Sequence, residues 1–362
     1  MRAGLSGWRI LLVEDDYYEA SELVARLSAL GVDVAGPSPN VTHALEQLDL
    51  GQGLRGAILD INLGGEMVFP LADELERRAI PFIFATGYEK DVVPPRHANK
   101  ILLRKPVDEE AVAAAFAHVS KSETVTAEEA ARNGIIGRLT RQDRDLLVPF
   151  VGRVHLPRGA IVELQDQPIS RVYFPLGCIL SSVAISREGS RTEAGLIGRE
   201  GMSGFGFADG DDRSPYELIS QIDGPALFMA ADDLKRVMRL VPALALLARR
   251  FARSLSIQAS FTALANARFE IRARLARWLL MLQDRADRMN EFRLTHEYLG
   301  IMLGVRRPSV TDALHLLEGE KMIRSTRSRI EILDRPKLIR LAGDSYGVPE
   351  SEHARIMKLP LE

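Results

Sequence analysis

The sequence predicts a multidomain chain. An α/β domain with a parallel sheet comes first. An α+β portion follows, made of an antiparallel β-roll, one long helix and a winged helix-turn-helix. Three observations predict this. Four short apolar runs before residue 106 each end in a residue suited to phosphate or metal chemistry. Short strands broken by Gly and Pro fill residues 139–230, the pattern of an antiparallel barrel or roll. A Gly-containing turn joins two amphipathic helices near the C-terminus. A length of 362 residues fits two or three domains.

The front segment, 1–120, alternates strands and helices. Ile10-Leu11-Leu12-Val13 is closed by Glu14 and Asp15, and Ala57-Ile58-Leu59 by Asp60. Pro81 to Ala85 leads into Thr86, and Ile101-Leu102-Leu103 runs to Lys105 and Pro106. Strand ends on one edge of a parallel sheet converge, so these groups are expected to meet. A carboxylate cluster with one Lys and one hydroxyl suits Mg²⁺ binding and acceptance of a phosphoryl group. Helices are expected over Glu19–Leu30, Val41–Leu48 and Phe69–Arg78, with Gly31 stopping the first. Between Thr86 and Lys105, Asp91-Val92-Val93-Pro94-Pro95 opposes a regular helix, because proline lacks the amide donor. Residues 121–134 read as a polar, partly helical linker.

The roll is expected over 135–240. A long helix, 241–267, carries Leu244, Leu247, Phe251, Leu255, Phe261 and Leu264 near helical spacing. A second copy of the chain is the economical way to bury that stripe, with packing on the roll in cis as the alternative. The segment 268–345 is expected to read DNA. Thr295 caps the first helix of the pair, Gly304 marks the turn, and Pro308 fits only the first turn of the second helix. Arg306 and Arg307 would then face phosphates and base edges, with Ser309 and Thr311 on the same helix. Met322 to Ile332 reads as a hairpin whose tip, with Arg327 and Arg329, would lie along the backbone as a wing. The tail, 346–362, carries no signal.

Charge agrees with this division. From Arg268 to Asp344 there are 16 Lys/Arg against 11 Asp/Glu, within a chain of net charge −2. A basic back behind an acidic front points to double-stranded DNA as a partner. The single cysteine, Cys178, excludes an internal disulfide and argues against cysteine-ligated clusters. No apolar run approaches a membrane span and the N-terminus lacks a signal-peptide core, so a cytoplasmic protein without membrane contact is expected. The histidines show no metal spacing, and Trp8 and Trp278 are expected in the core.

The motifs Val13-Glu14-Asp15-Asp16, Leu59-Asp60-Ile61-Asn62-Leu63, Phe84-Ala85-Thr86-Gly87-Tyr88 and Arg104-Lys105-Pro106 resemble a response-regulator receiver domain. That resemblance implies a flavodoxin-like fold with Asp60 as phosphoacceptor. It also implies that Glu14, Asp15 and the Asn62 backbone join Asp60 around Mg²⁺, that Thr86 and Lys105 assist, and that a histidine kinase or phosphotransfer protein is a partner. Asp16 is assigned to a helix cap. Leu102 stands where receivers often carry an aromatic switch residue, which resembles an atypical subgroup with the Phe-Ala-Thr-Gly-Tyr signature.

Residues 135–342 resemble the family of the cyclic-AMP receptor protein and the fumarate/nitrate regulator (Crp/Fnr). The motifs are Val172 to Leu176, Gly195 to Met202, and Thr295 to Ile323. The resemblance implies a cyclic-nucleotide-binding-like roll, a homodimer, a palindromic DNA site and RNA polymerase as a further partner. Arg307 takes the base-reading position, but Pro308 and Asp312 replace the Glu and Arg that accompany it. Arg213-Ser214 remains of the phosphate pair, whereas Met202 replaces the ribose-binding Glu, and Ala259 with Ser260 stands where the base-contacting Thr would be.

The expected function is a phosphorylation-controlled dimeric transcription regulator, not an enzyme. Two alternatives are a phosphate sink or adaptor that does not read DNA, and a regulator controlled by a small ligand in the roll.

Overall fold

The computed structural model describes residues 5–50, 53–87, 93–97, 100–117, 125–286, 289–326 and 329–361. Asp91, Val92, Lys121, Arg327 and Ser328, on which several expectations fell, lie outside them. The chain forms two compact units, Met1–Ser122 with His155–Val162, and Glu123–Val154 with Glu163–Glu362.

In the first unit, β1 (Arg9–Val13), β2 (Asp33–Ser38), β3 (Leu54–Asp60), β4 (Phe82–Thr86) and β5 (Leu102–Arg104) form a parallel sheet in the order β2-β1-β3-β4-β5. Helices α1 (Tyr17–Ala29), α2 (Val41–Leu50), α3 (Phe69–Arg77) and α4 (Glu109–Ala117) connect or follow the strands. Helices on both faces require strands that are apolar throughout. Ile10 to Val13, Ala57 to Leu59 and Phe82 to Ala85 are accordingly all buried. The cluster of Ile10, Leu12, Leu23, Leu27, Ile58, Ile83, Val112 and Phe116 makes one side of the core. Each such side chain contributes roughly 1.5–3 kcal/mol by leaving water. Trp8 is half-buried, tilted against Phe116 at 5.8 Å with the Arg55 guanidinium over its ring.

The proline-rich stretch behaves as expected: its described part contains only a one-turn 3₁₀ helix, Pro95–His97. His97 is fully buried against Phe69, Phe82 and Phe84, with Nε2 2.9 Å from Asp73 and Nδ1 3.2 Å from Glu76. Ala160 and Ile161 pair antiparallel with Leu103 and Leu102, adding a strand at the β5 edge.

The second unit begins with a short helix, Ala127–Ala130, capped by Thr126. Asn133 is buried and donates to the carbonyls of Pro175 and Gly201 at 3.0 and 2.9 Å, tying this stretch into the roll. Strands β6 (Arg171–Pro175) and β10 (Gly224–Ala230) pair antiparallel. Strands β7 (Ile179–Ile185), β8 (Arg191–Ile197) and β9 (Glu217–Ile222) pair in the order β8-β7-β9. Helices α5 (Ala231–Leu240), α6 (Pro242–Arg268) and α7 (Ile271–Arg285) follow.

The N-terminal part of the α6 stripe is covered in cis. Leu244, Leu247, Phe251 and Leu255 are buried within this chain. The helix packs against the turn Phe205–Asp209, β8 and a C-terminal helix, α11 (Val348–Met357). The tail without sequence signal therefore supplies a cover: His353 meets Phe251 edge-on and its Nδ1 lies 2.8 Å from Ser254 Oγ. Leu264 stays 41 % exposed, so only the C-terminal half of the stripe is left open.

Helices α8 (His296–Leu303) and α9 (Arg307–Gly319), strands β11 (Ile323–Thr326) and β12 (Arg329–Ile332), and α10 (Arg335–Ala342) complete the unit. Trp278 is buried. Among the described residues no helix is long and apolar enough to cross a membrane.

Candidate phosphoacceptor site and nucleic-acid interface

The first site is assembled at the C-terminal ends of β1, β3, β4 and β5. Glu14 and Asp15 follow β1, Asp60 closes β3, Thr86 closes β4, and Lys105 follows β5. Lys105 Nζ lies 2.6 Å from Asp60 Oδ2, 2.5 Å from Glu14 Oε2 and 3.1 Å from Glu19 Oε2. One carboxylate oxygen from each of Glu14, Asp15 and Asp60 falls within 4.8 Å of the others. They face a cavity of about 500 Å³ that Asn62, Gly64, Gly65 and Gly87 also line. Glu14, Asp60 and Thr86 are buried.

This much negative charge has physical consequences. Burial, opposed by Lys105 and reinforced by Asp60, pushes the Glu14 carboxyl up to about 7. Burial works against the Lys105 cation, yet its hydrogen bonds to Asp60 and Glu14 hold its pKa above the ordinary lysine value. One Lys cannot neutralise Glu14, Asp15, Glu19 and Asp60. Clustered hard oxygen donors with excess negative charge suit a divalent cation such as Mg²⁺ or Ca²⁺.

Local sequence explains the geometry. Asp16 caps α1, accepting from the amides of Tyr18 and Glu19 at 2.8 and 3.0 Å, as expected. Asp15 is thereby left outside the helix, beside the cavity. A small hairpin, Asn62–Leu63 with Glu66–Met67, turns back from Asp60. The Asn62 amide donates to Asp60 Oδ1 at 3.2 Å, while its side chain accepts from the Gly65 amide. Sequence reasoning missed Glu19. Its signal was its place in the first turn of the helix that follows the acidic pair.

The second site is the pair α8–α9. Thr295 caps α8, its Oγ1 accepting from the Tyr298 amide at 3.2 Å. Gly304 adopts φ +60°, and a Cβ on Gly300 would meet the Val305 carbonyl at 2.9 Å. Those two glycines make the turn tight. Pro308 sits in the first turn of α9 as expected. Arg306, Arg307, Asp312 and His315 are exposed and Ser309 is half-buried. Thr311 is engaged between the helices, with Oγ1 2.9 Å from His296 Nδ1 and donating to the Arg307 carbonyl.

The hairpin β11–β12 forms with Thr326 opposite Arg329. Arg329 pairs with Glu291 at 2.9 Å, and Arg324 with Glu331 at 2.8 Å. The tip residue Arg327 lies outside the described residues.

In the roll, Arg213 and Ser214 have separate partners. Arg213 is exposed and donates to the Asp166 carbonyl at 2.8 Å. Ser214 is buried and hydrogen-bonds Glu163. Glu163 also accepts from the Gly204 amide at 2.7 Å and from Ser203. Met202 is fully buried, and Ser260 donates to the Ser256 carbonyl in its own helix. Glu193 in β8 accepts from Trp278 Nε1 at 2.7 Å and from Ser181 Oγ at 2.6 Å. Burial raises both Glu163 and Glu193 to about 7, against these hydrogen bonds.

Residues 273–341 match the model of the Crp-like helix-turn-helix domain. Solved structures similar to the chain include a Crp/Fnr-family transcriptional regulator from Eubacterium rectale (17 % identity, TM-score 0.44, 58 % of this chain and 98 % of that one). FixK2 from Bradyrhizobium japonicum is similar at 16 % identity and TM-score 0.46, over 53 % and 98 %. TTHB099, a CRP-family transcriptional regulator from Thermus thermophilus, is similar at 22 % identity and TM-score 0.42, over 52 % and 96 %. No curated protein matches the chain significantly.

Proposed function

With a Crp-like helix-turn-helix domain at its C-terminal end, we propose that this chain is a DNA-binding transcription regulator controlled by phosphorylation of Asp60. The observation that carries the control half is Lys105 Nζ held between Asp60 and Glu14, with Asp15 beside them, at the mouth of one cavity. The parallel order β2-β1-β3-β4-β5 supports a receiver, because it places all four strand ends on one rim.

Asp60 supplies the nucleophile. A carboxylate oxygen attacks phosphorus, the bond to the donor's imidazole nitrogen breaks, and an acyl phosphate remains on Asp60. The leaving imidazole takes its proton from solvent. Glu14, Asp15 and the Asn62 carbonyl would hold Mg²⁺, which supplies charge neutralisation on the transferring phosphoryl oxygens. Lys105 exchanges its bond to the Asp60 carboxylate for one to a phosphoryl oxygen, and Thr86 donates its hydroxyl to another. Exposed Gly87 leaves room for a histidine kinase or phosphotransfer protein to approach. Such sites act by positioning and electrostatics more than by covalent chemistry.

Arg306 and Arg307 open the second helix of the reading pair and would contact DNA, with Ser309 beside them. Two copies are expected on a palindromic site, their heads about 34 Å apart. Ile257, Phe261 and Leu264 on α6 are apolar positions open to the second copy.

The control half is tested by incubating the intact chain with a small phosphodonor and Mg²⁺. One added phosphoryl group that disappears in Asp60→Asn is expected, and a gain that persists in that variant overturns the assignment. The reading half is tested by Arg307→Ala. Specific DNA affinity should fall about tenfold or more, the size of one lost bidentate base contact. Unchanged affinity removes α9 from the interface.

A further inference from the structure

The chemistry proposed above uses Glu14 and Asp60 but leaves out a third carboxylate on Lys105, that of Glu19. An ammonium has three protons to place. Lys105 Nζ lies 2.5 Å from Glu14 Oε2, 2.6 Å from Asp60 Oδ2 and 3.1 Å from Glu19 Oε2. The Lys105 side chain is only 11 % exposed, whereas that of Glu19 is 49 % exposed. Both main chains are pinned. The Glu19 amide donates to Asp16 Oδ1 at 3.0 Å, and the Lys105 amide to the Thr86 carbonyl at 2.9 Å. A rearrangement between the two residues is therefore one of side chains alone.

The three contacts are not equivalent toward a metal. The oxygens that converge within 4.8 Å belong to Glu14, Asp15 and Asp60, and Glu19 is not in that group. Glu14 and Asp60 therefore serve both the ammonium and the cation cluster. A divalent cation seated on them takes the oxygens that Lys105 holds and repels its charge. Left nearly buried without a partner, the ammonium would be costly. It has somewhere to go. A second, smaller cavity of about 40 Å³ is lined by Lys105, Glu19, Glu22, Leu23 and Pro106. That is room for one group the size of a water molecule. Arg26, which also lines it, is held by Glu22 and Glu109.

We propose that Glu19 is a positioning residue, which receives the Lys105 ammonium when a divalent cation occupies Glu14, Asp15 and Asp60. The inference rests on reading the acidic cavity as a Mg²⁺ site. Glu19 keeps the ammonium paired at the rim until a phosphoryl oxygen is there to accept it. Without Glu19 the ammonium stays over Glu14 and Asp60 and opposes the cation. Glu19 thereby raises metal affinity without touching the metal.

The test is a double-mutant cycle read by calorimetric Mg²⁺ titration of the full chain. Salt is held at about 0.15 M, where exposed charges more than about 8 Å apart are screened. Glu19→Gln should weaken Mg²⁺ binding about threefold or more, a coupling of the size found between groups in contact. In a Lys105→Met background the same change should alter affinity by less than about twofold. An equal loss in both backgrounds places Glu19 on the ion and overturns the proposal, as does no loss in the single variant. Glu22→Gln removes the same charge from the neighbouring Arg26 pair and should leave affinity within about twofold of wild type. A loss there equal to that of Glu19→Gln reduces the effect to a general field and also overturns the proposal. This comparison decides the matter if Lys105→Met fails to fold. A wild-type chain that takes up no Mg²⁺ removes the metal reading and the proposal with it, whereas Mg²⁺ binding with a flat cycle removes the proposal alone. No phosphodonor enters these titrations, so they are independent of whether Asp60 is phosphorylated.

Discussion

Three buried carboxylates in this molecule, Glu14, Glu163 and Glu193, share a pKa raised to about 7 and little else. Glu163 and Glu193 are sealed. Ser203, Ser214 and the Gly204 amide bond the first, and Ser181 and Trp278 the second. Among the described residues no further carboxylate shares their hydrogen bonds. Glu14 instead faces a cavity, shares Lys105 with Asp60, and has Asp15 within ligand distance. A perturbed carboxylate is thus a poor sign of function by itself. Excess like charge, one shared cation and an opening to solvent distinguish the rim cluster from the two sealed acids.

The comparison breaks most sharply at Asp60. Asp60→Asn should abolish phosphoryl gain entirely, whereas Glu163→Gln and Glu193→Gln should leave it intact, read by intact-mass measurement. Next comes pH. A proton on Glu14 competes with a cation. Mg²⁺ affinity should therefore climb as pH rises, by up to about tenfold per unit, and level off above about 7. A metal titration on Glu14→Gln should show weaker, pH-independent binding.

The sealed pair should appear in stability instead. Their folded pKa values lie above the unfolded ones. Their stabilising contribution is therefore complete below about 4.5 and gone once pH has passed about 7. Each should cost on the order of 1 kcal/mol per pH unit inside that window. Denaturant melts of Glu163→Gln and Glu193→Gln should lose that slope.

The smallest effect separates neighbours. Asp16→Ala removes a helix cap and should cost about 1 kcal/mol of stability, with metal affinity unchanged. Asp15→Ala should do the reverse.

Much of the rim site was legible because its residues sit at fixed places relative to apolar runs. Asp60, Thr86 and Lys105 end or follow strands, and strand order in a parallel sheet brings such ends together. Glu19 had only its place in the first turn of α1 as a signal, because its approach to Lys105 depends on the direction of that helix. The reading helices were legible from Thr295, Gly304 and Pro308, each of which has a narrow conformational role. The commitment of Arg329 to Glu291 was not, since pairing across 38 residues leaves no local trace. The stripe of α6 shows the same limit. Periodicity states that Leu244, Leu247, Phe251 and Leu255 are covered, but not by what, and helix α11 lies in a tail whose sequence carried no signal. Glu163 and Glu193 fall where alternation along a strand demands a buried side chain, and only their donors explain why an acid is tolerated there.

The link between the acidic rim and the reading helices is tested most directly by equilibrium DNA binding of the full chain with and without acetyl phosphate and Mg²⁺, alongside Asp60→Asn. A shift in wild-type affinity of about 5- to 150-fold, the usual size of coupling between sites, and no shift in the variant, is the predicted result. Identical wild-type affinities, despite a confirmed phosphoryl group on Asp60, would contradict it.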